Sequence, residues 1–262
     1  KTPIWPRAGG TSCCAGSMPQ RTGGIVLDLT RMTRIIEINE DNMTVTVQPG
    51  IVLRTLEEEL RKKGLHPMNI GSCGSGLSAT VGAGIATNAE GRGGAEFGNY
   101  SEQVICLEVV LPNGEVLRTG SDSTVSGTKV ERYVNGPDLT GLFCGSQGFL
   151  GIITEATLKC LPAPEKVDFS TPVFGTLEQL TRASMAITRD RLASSAVSMA
   201  GKRTMQGLVN PEMPQEGMIF IVLQGREEEV AYKKKLLDKV IADHGGMDLG
   251  GQITKEQYFD QD

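Results

Sequence analysis

Between residues 71 and 91 the chain reads GSCGSGLSATVGAGIATNAEG, uncharged until Glu90 and built almost wholly of small residues. Two further stretches share this character: RAGGTSCCAGS at residues 7–17 and GSQGFLGIIT at residues 145–154. Glycine reaches positive φ at little cost and lets a ligand come up against the main chain. Successive N–H groups, or the first turn of a short helix, then form a cradle for an anion. A flexible Gly/Ser linker is the competing reading. A membrane span is excluded, because Ser72, Ser75, Ser78, Thr80, Thr87 and Asn88 interrupt the run of about 20 apolar residues that one needs.

Other chemistries lack their spacing. The stretch at 7–17 precedes a β-branched run and not a helix, which argues against a Rossmann fingerprint, and no GxxxxGK[ST] occurs. Cys13, Cys14, Cys73, Cys106, Cys144 and Cys160 form no CxxC pair, and there are only two histidines, so zinc and iron–sulfur sites are not indicated. Reduced thiols in a cytosolic protein are the default at this size. Cys13 and Cys14 read as small packing residues in a loop. His66, just before Pro67, reads as a satisfied or surface histidine, and Arg92 as a solvated arginine near a glycine-rich turn.

The elements around these stretches must position them. The 262 residues suit one large domain or two smaller ones, and 39% hydrophobic content allows a core. A net charge of −5 and 5% aromatics give no reason to expect nucleic acid. The 33 glycines show no G-X-Y period. Residues 24–29, 35–38 and 43–47 read as strands, with Pro49-Gly50 ending the third. Leu53, Leu56 and Leu60 predict a helix stopped near Gly64. Residues 104–111 and 115–119 flank Pro112-Asn113-Gly114, a hairpin signal. A short helix at 138–143 and a strand at 150–161 complete the first part.

Pro162-Ala163-Pro164 marks the boundary between a domain at 1–164 and another at 165–262. Beyond it the spacing predicts a strand at 168–173, a helix at 177–191, a strand at 194–199, a short helix at 202–208, a strand at 218–224 and an amphipathic helix at 227–244. This is α+β order, with helices on one face of an antiparallel sheet.

RAGGTSCCAGSMP followed by GGIVLDLTRMTRIIEINEDNMTVTVQPG, then ATVGAGIATNAEGRGGAEFGNYSEQVICLEVVLPNGEVLRTG, then GPDLTGLFCGSQGFLGIITEATLKCLPAPE, together resemble the FAD-binding domain of the vanillyl-alcohol oxidase / p-cresol methylhydroxylase superfamily. The match is best to the D-lactate dehydrogenase and glycolate oxidase branch, and covers Ile4 to about Glu165. The resemblance implies a two-subdomain FAD-binding (PCMH-type) fold, followed by the first part of a ferredoxin-like α+β cap domain. It implies that Arg7, Ala8, Gly9, Gly10, Thr11 and Ser12 wrap the FAD pyrophosphate. Gly71, Ser72, Thr80, Val81, Gly82 and Gly84 would continue the cradle, and Ile85, Asn88, Gly98, Gly148, Gly151, Ile152 and Ile153 would line the cofactor.

The chain departs from the family in places. Ala8 stands where a glycine is usual, and Gln147 where the family has an acid. No histidine lies in either of the first two glycine loops, so a histidyl-linked flavin is not indicated; Cys73 is the remaining candidate for a covalent link. The family's histidine-rich metal and substrate motif is absent, so the chain reads as a piece of a longer protein and no catalytic residue or metal ligand is assigned. The resemblance implies oxidation of a D-2-hydroxy acid, glycolate or D-lactate, to the 2-oxo acid, with electrons leaving to a quinone, an electron-transferring flavoprotein or an iron–sulfur subunit. Two alternatives stay open: a flavin-binding electron-transfer subunit without its own substrate site, and alkyl-glycerone-phosphate synthase-like chemistry. A homodimer and a hetero-subunit complex are both compatible, as are a cytoplasmic protein, one held at a membrane by a partner, and an organellar one.

Overall fold

The computed structural model describes residues 2–259 apart from 13–15, 17, 20, 69–74, 76, 77, 92, 135, 194, 195 and 211. The chain divides into two compact units, one of residues 1–91 and 98–163, the other of residues 92–97 and 164–262. In chain order the elements up to that division are β1 (Ile4–Arg7), β2 (Ile25–Asp28), β3 (Ile35–Asn39), β4 (Thr44–Val47), α1 (Leu53–Arg61), β5 (Leu65–Pro67), α2 (Val81–Thr87), α3 (Gly94–Phe97), β6 (Val104–Val110), β7 (Val116–Arg118), α4 (Leu139–Phe143) and β8 (Ile152–Pro162). Of these, α3 belongs to the second unit.

In the first unit β1 and β2 form a parallel pair, Arg7 opposite Asp28. The larger sheet has the order β3-β4-β8-β6-β7, with β5 also on β8. Its strands pair antiparallel, and the Thr46 and Thr157 hydroxyls meet across β4 and β8 at 3.0 Å. The leucines at helical spacing do what their spacing predicts: Leu53, Leu56 and Leu60 of α1 enter a core with Val45, Val47, Leu107, Val109 and Leu158. Full burial of such a side chain is worth about 1.5–3 kcal/mol. Gly64 takes φ +70° in the turn after α1, and Gly114 takes +88° in the β6–β7 hairpin.

One element decides between two forms that the sequence left open. Residues 81–87, VGAGIAT, are a helix and not an open glycine loop. Each glycine costs a helix interior about 1 kcal/mol, so propensity alone does not make it. Val81 and Ile85, one turn apart and 0% exposed, anchor it in the core instead. Strand β5 was unforeseen; it exists because β8 runs long enough to pair with Leu65–Pro67.

The second unit continues with β9 (Lys166–Ser170), β10 (Pro172–Phe174), α5 (Leu177–Arg189), β11 (Ala196–Gly201), α6 (Lys202–Leu208), β12 (Gly217–Gly225), α7 (Glu227–Asp243), β13 (Met247–Asp248) and α8 (Gln252–Phe259). Strand β12 pairs antiparallel with β11 on one side and with β9 and β10 on the other, and β13 lies beyond β10. Leu180, Ala183 and Ile187 of α5, with Val230, Leu237 and Ile241 of α7, pack on Ile219, Ile221 and Leu223. The Thr176–Gln179 capping box starts α5. The strand expected at 168–173 is two strands, interrupted at Thr171, whose amide donates to Asp248 Oδ1 at 2.8 Å. Among the described residues no helix is long and apolar enough to cross a membrane.

Candidate functional site

The first unit contains a cleft of about 680 Å³, within the range of small-molecule and cofactor sites. Strand β1 delivers the first glycine stretch to it. The ladder with β2 ends where Leu29 N donates to Arg7 O at 2.8 Å, and the chain then turns away. Gly9 N donates to Thr80 Oγ1 at 3.2 Å, which ties this loop to the residue preceding α2. A Cβ on Gly9 would stand 2.1 Å from Ser78 O, so only glycine permits that approach. Gly10 then takes φ +69°. Among the described residues no acceptor takes up the amides of Ala8, Gly10 or Thr11. They are the orphan donors that an anion would satisfy.

The first turn of α2 offers less. Val81 N donates to Ile51 O at 3.1 Å, Gly82 N to Pro49 O at 2.8 Å and Gly84 N to Thr80 O at 3.0 Å. Most of this helix start is therefore engaged with the protein; among the described residues the Ala83 amide is the one of its first turn without an acceptor, and the other free amides named on the cleft lie in the first loop.

Charge on the cleft wall comes from Arg7 and Glu90. The Arg7 guanidinium lies against Gly10, one nitrogen 3.1 Å from the place of a Cβ there. Asp28, facing Arg7 across the strand pair, is held below the ordinary carboxylate range by the Thr30 hydroxyl and amide, with Arg7 adding to the effect. Leu29, Pro49, Leu53 and Ile152 supply apolar wall. The buried Tyr100 also reaches the cleft, and burial pushes its phenol up, keeping it neutral.

Many of the expected residues converge here. Arg7, Ala8, Gly10, Thr11 and Ser12 line the cleft from the first loop; Thr80, Gly82 and Gly84 from the start of α2; and Gly148, Gly151, Ile152 and Ile153 from the third stretch. Others are placed elsewhere. Gly9 stands behind the wall, joined to Thr80. Val81 and Ile85 turn their side chains into the core. Asn88 is the left-handed C-cap of α2, φ 46°, and its Oδ1 accepts from Ser101 N at 3.0 Å. Gly98, φ +76°, packs toward Glu102. Gly71, Ser72, Cys13, Cys14, Cys73 and Arg92 lie outside the described residues.

The glycines also have a different occupation from the one expected. A Cβ on Gly82 would meet Pro49 Cβ at 2.4 Å, one on Gly84 the Tyr100 ring at 2.9 Å, one on Gly148 Pro6 at 2.4 Å, and one on Gly151 Val109 at 2.5 Å. The bare backbone serves close packing within the protein as well as the cleft. Ala83, Ala86, Thr87, Glu90, Tyr100, Ser146 and Gln147 line the cleft without having been foreseen. The signal was present in part: Gly82, Ala83, Ala86 and Thr87 recur at helical spacing, opposite to Val81 and Ile85. Neither histidine is on the wall. His66 is buried in β5, its Nε2 without a hydrogen-bond partner and 3.6 Å from Glu57 Oε1.

Free amides, one cation and small or apolar walls fit a dinucleotide with a diphosphate at the first loop. Residues 1–120 match a protein family described as "FAD binding domain". The chain has the fold of PCMH-type FAD-binding proteins. The same fold occurs in solved structures: p-cresol methylhydroxylase with substrate bound superposes with a TM-score of 0.80 at 19% identity, over 99% of this chain and 54% of that one. Among curated proteins, the chain is 42% identical over 166 residues to the glycolate oxidase subunit GlcD of Bacillus subtilis, covering 63% of this chain and 33% of that protein. It is 38% identical over 168 residues to a D-lactate dehydrogenase of Anaerostipes hadrus, covering 64% and 33%. The chain spans 33% to 50% of the length of these and other curated relatives it matches. The family match of the FAD-binding domain stops at residue 120, yet the stretch at 145–153 returns to the same cleft.

Proposed function

We propose that this chain is the flavin-binding part of an FAD-linked dehydrogenase that oxidises a D-2-hydroxy acid, of the glycolate or D-lactate kind, to the 2-oxo acid. The observation that carries the reading is the 42% identity with a glycolate oxidase subunit, seconded by the 38% identity with a D-lactate dehydrogenase. FAD, when bound, supplies a hydride acceptor. The amides of Ala8, Gly10 and Thr11, with Arg7, would hold the diphosphate and offset its charge. Leu29, Leu53 and Ile152 make part of the cleft wall apolar and would keep water from a bound cofactor. Electrons then pass to a separate acceptor, a quinone, an electron-transferring flavoprotein or an iron–sulfur subunit, in keeping with a relative that is itself named a subunit.

The test is an anaerobic absorbance spectrum of the purified full-length protein before and after D-lactate or glycolate. Visible flavin absorbance that bleaches with either acid supports the reading. Flavin absorbance that no 2-hydroxy acid bleaches overturns it and favours a flavin-binding electron-transfer subunit.

A further inference from the structure

Residues 145–148 read Gly-Ser-Gln-Gly. Gly145 and Gly148 take left-handed backbone, φ +77° and +80°, and so does Gln147 at +51°. Glycine occupies this region freely, whereas a long L side chain is strained there. The strain is held in place by the backbone: Gln147 N donates to Ala86 O, in α2, at 2.8 Å. That bond uses only main-chain atoms and would survive a glycine at 147. The turn therefore gains nothing from the side chain that the strain accompanies.

The side chain goes to the cleft. Gln147 lines its wall, and Oε1 lies 3.4 Å from where a Cβ on Gly16 would stand, so it reaches toward the first glycine stretch. Gln147 is exposed, and among the described residues no protein group hydrogen-bonds its amide. A primary amide with one acceptor oxygen and two N–H donors is thus presented to the cleft from a strained, anchored backbone. Strain of this kind, held by its surroundings, clusters at ligand contacts.

We propose that Gln147 reads the ring edge of the bound cofactor. Its amide matches a donor and an acceptor side by side, the pattern of the flavin N3–H with an adjacent carbonyl and of the adenine N6–H with N1. A carboxylate at this position would offer acceptors only, and would titrate; the amide offers both and does not. The proposal rests on FAD occupying this cleft and is independent of which substrate is oxidised.

The experiment titrates the folded apo-protein with FAD, riboflavin and ADP separately, and measures its thermal unfolding. Gln147→Gly removes the amide and relieves the backbone; Gln147→Leu removes the amide and keeps the bulk. The expected result is an unchanged or raised unfolding temperature for Gln147→Gly and an FAD Kd raised about tenfold in both variants, the loss of one or two hydrogen bonds. Whichever of riboflavin or ADP weakens in parallel names the ring. FAD binding within twofold of the parent in a folded Gln147→Leu or Gln147→Gly overturns the proposal. Equal weakening of both riboflavin and ADP also overturns it, since that reports a distorted cleft and not a lost ring contact.

Discussion

The Gly9 amide donates to the Thr80 hydroxyl oxygen at 3.2 Å, across a separation of 71 residues. This bond sets the first loop against the start of α2, and the free amides of Ala8, Gly10 and Thr11 extend from it. Thr80 is 2% exposed, so loss of its hydroxyl leaves a donor that water reaches poorly. Thr80→Val is expected to lower stability by about 1–2 kcal/mol and to weaken FAD binding, while Thr80→Ser retains both. Thermal melts with and without FAD, and a flavin titration, check it.

Gly82 lies 2.4 Å, at its would-be Cβ, from Pro49 Cβ. Gly82→Ala is expected to destabilise the apo-protein by about 1–3 kcal/mol through overpacking. Gly207, inside α6, has nothing within 4 Å of its would-be Cβ, and Gly207→Ala is expected to stabilise by about 0.5–1 kcal/mol. Paired chemical-denaturation curves without cofactor distinguish packing from ligand contact: an unchanged midpoint for Gly82→Ala would show that Pro49 yields.

In the second unit Lys234 Nζ donates to Asp248 Oδ2 at 2.7 Å and to Asp238 at 2.9 Å, and Asp248 also accepts from Ser170 and the Thr171 amide. Burial alone would raise the Asp248 carboxyl, but these donors outweigh it and hold it below its ordinary value. Burial would lower Lys234, and the two aspartates overcome it and hold it above its ordinary value. The signs follow from linkage. The carboxylate contributes stability above about pH 4 and loses it as pH falls through its depressed native value. The ammonium contributes below about pH 10 and loses it as pH rises through its elevated native value. Asp248→Asn is expected to flatten the acid limb of the stability–pH curve, measured by melts from neutral pH downward.

Cys144 and Cys160 are pushed up by burial to about 11 and about 12, and burial raises Cys106 as well. Since the thiolate is the nucleophile, none of the three is expected to react with iodoacetamide at pH 8 until the protein unfolds. Peptide mass spectrometry after native and denatured labelling reads this directly. Rapid native labelling at any of the three would contradict it.

Much of this molecule was legible in short-range pattern. The leucine period announced α1, Pro112-Asn113-Gly114 announced the β6–β7 hairpin, and the residue pattern at 202–208 announced α6 with the bounds the structure gives it. Helix α2 was legible only as one of two alternatives. Its two glycines argue against a helix, and what favours it, the burial of Val81 and Ile85, depends on strands distant in the chain. Tyr100 escaped for the same reason: its ring covers Gly84 from a segment with no periodicity of its own. The break at Thr171 depends on Asp248, 77 residues later.

The amino-acid sequence by itself determined where backbone could be approached closely and which segments must turn, because glycine's freedom and side-chain period are local properties. It did not determine what approaches each glycine. Only the tertiary structure decided that Gly82 faces Pro49, that Gly9 meets Thr80, and that the amides of Ala8, Gly10 and Thr11 are left over. Whether an amide is taken or free depends on every acceptor within about 3 Å, and those acceptors come from residues whose distance along the chain says nothing of their distance in space.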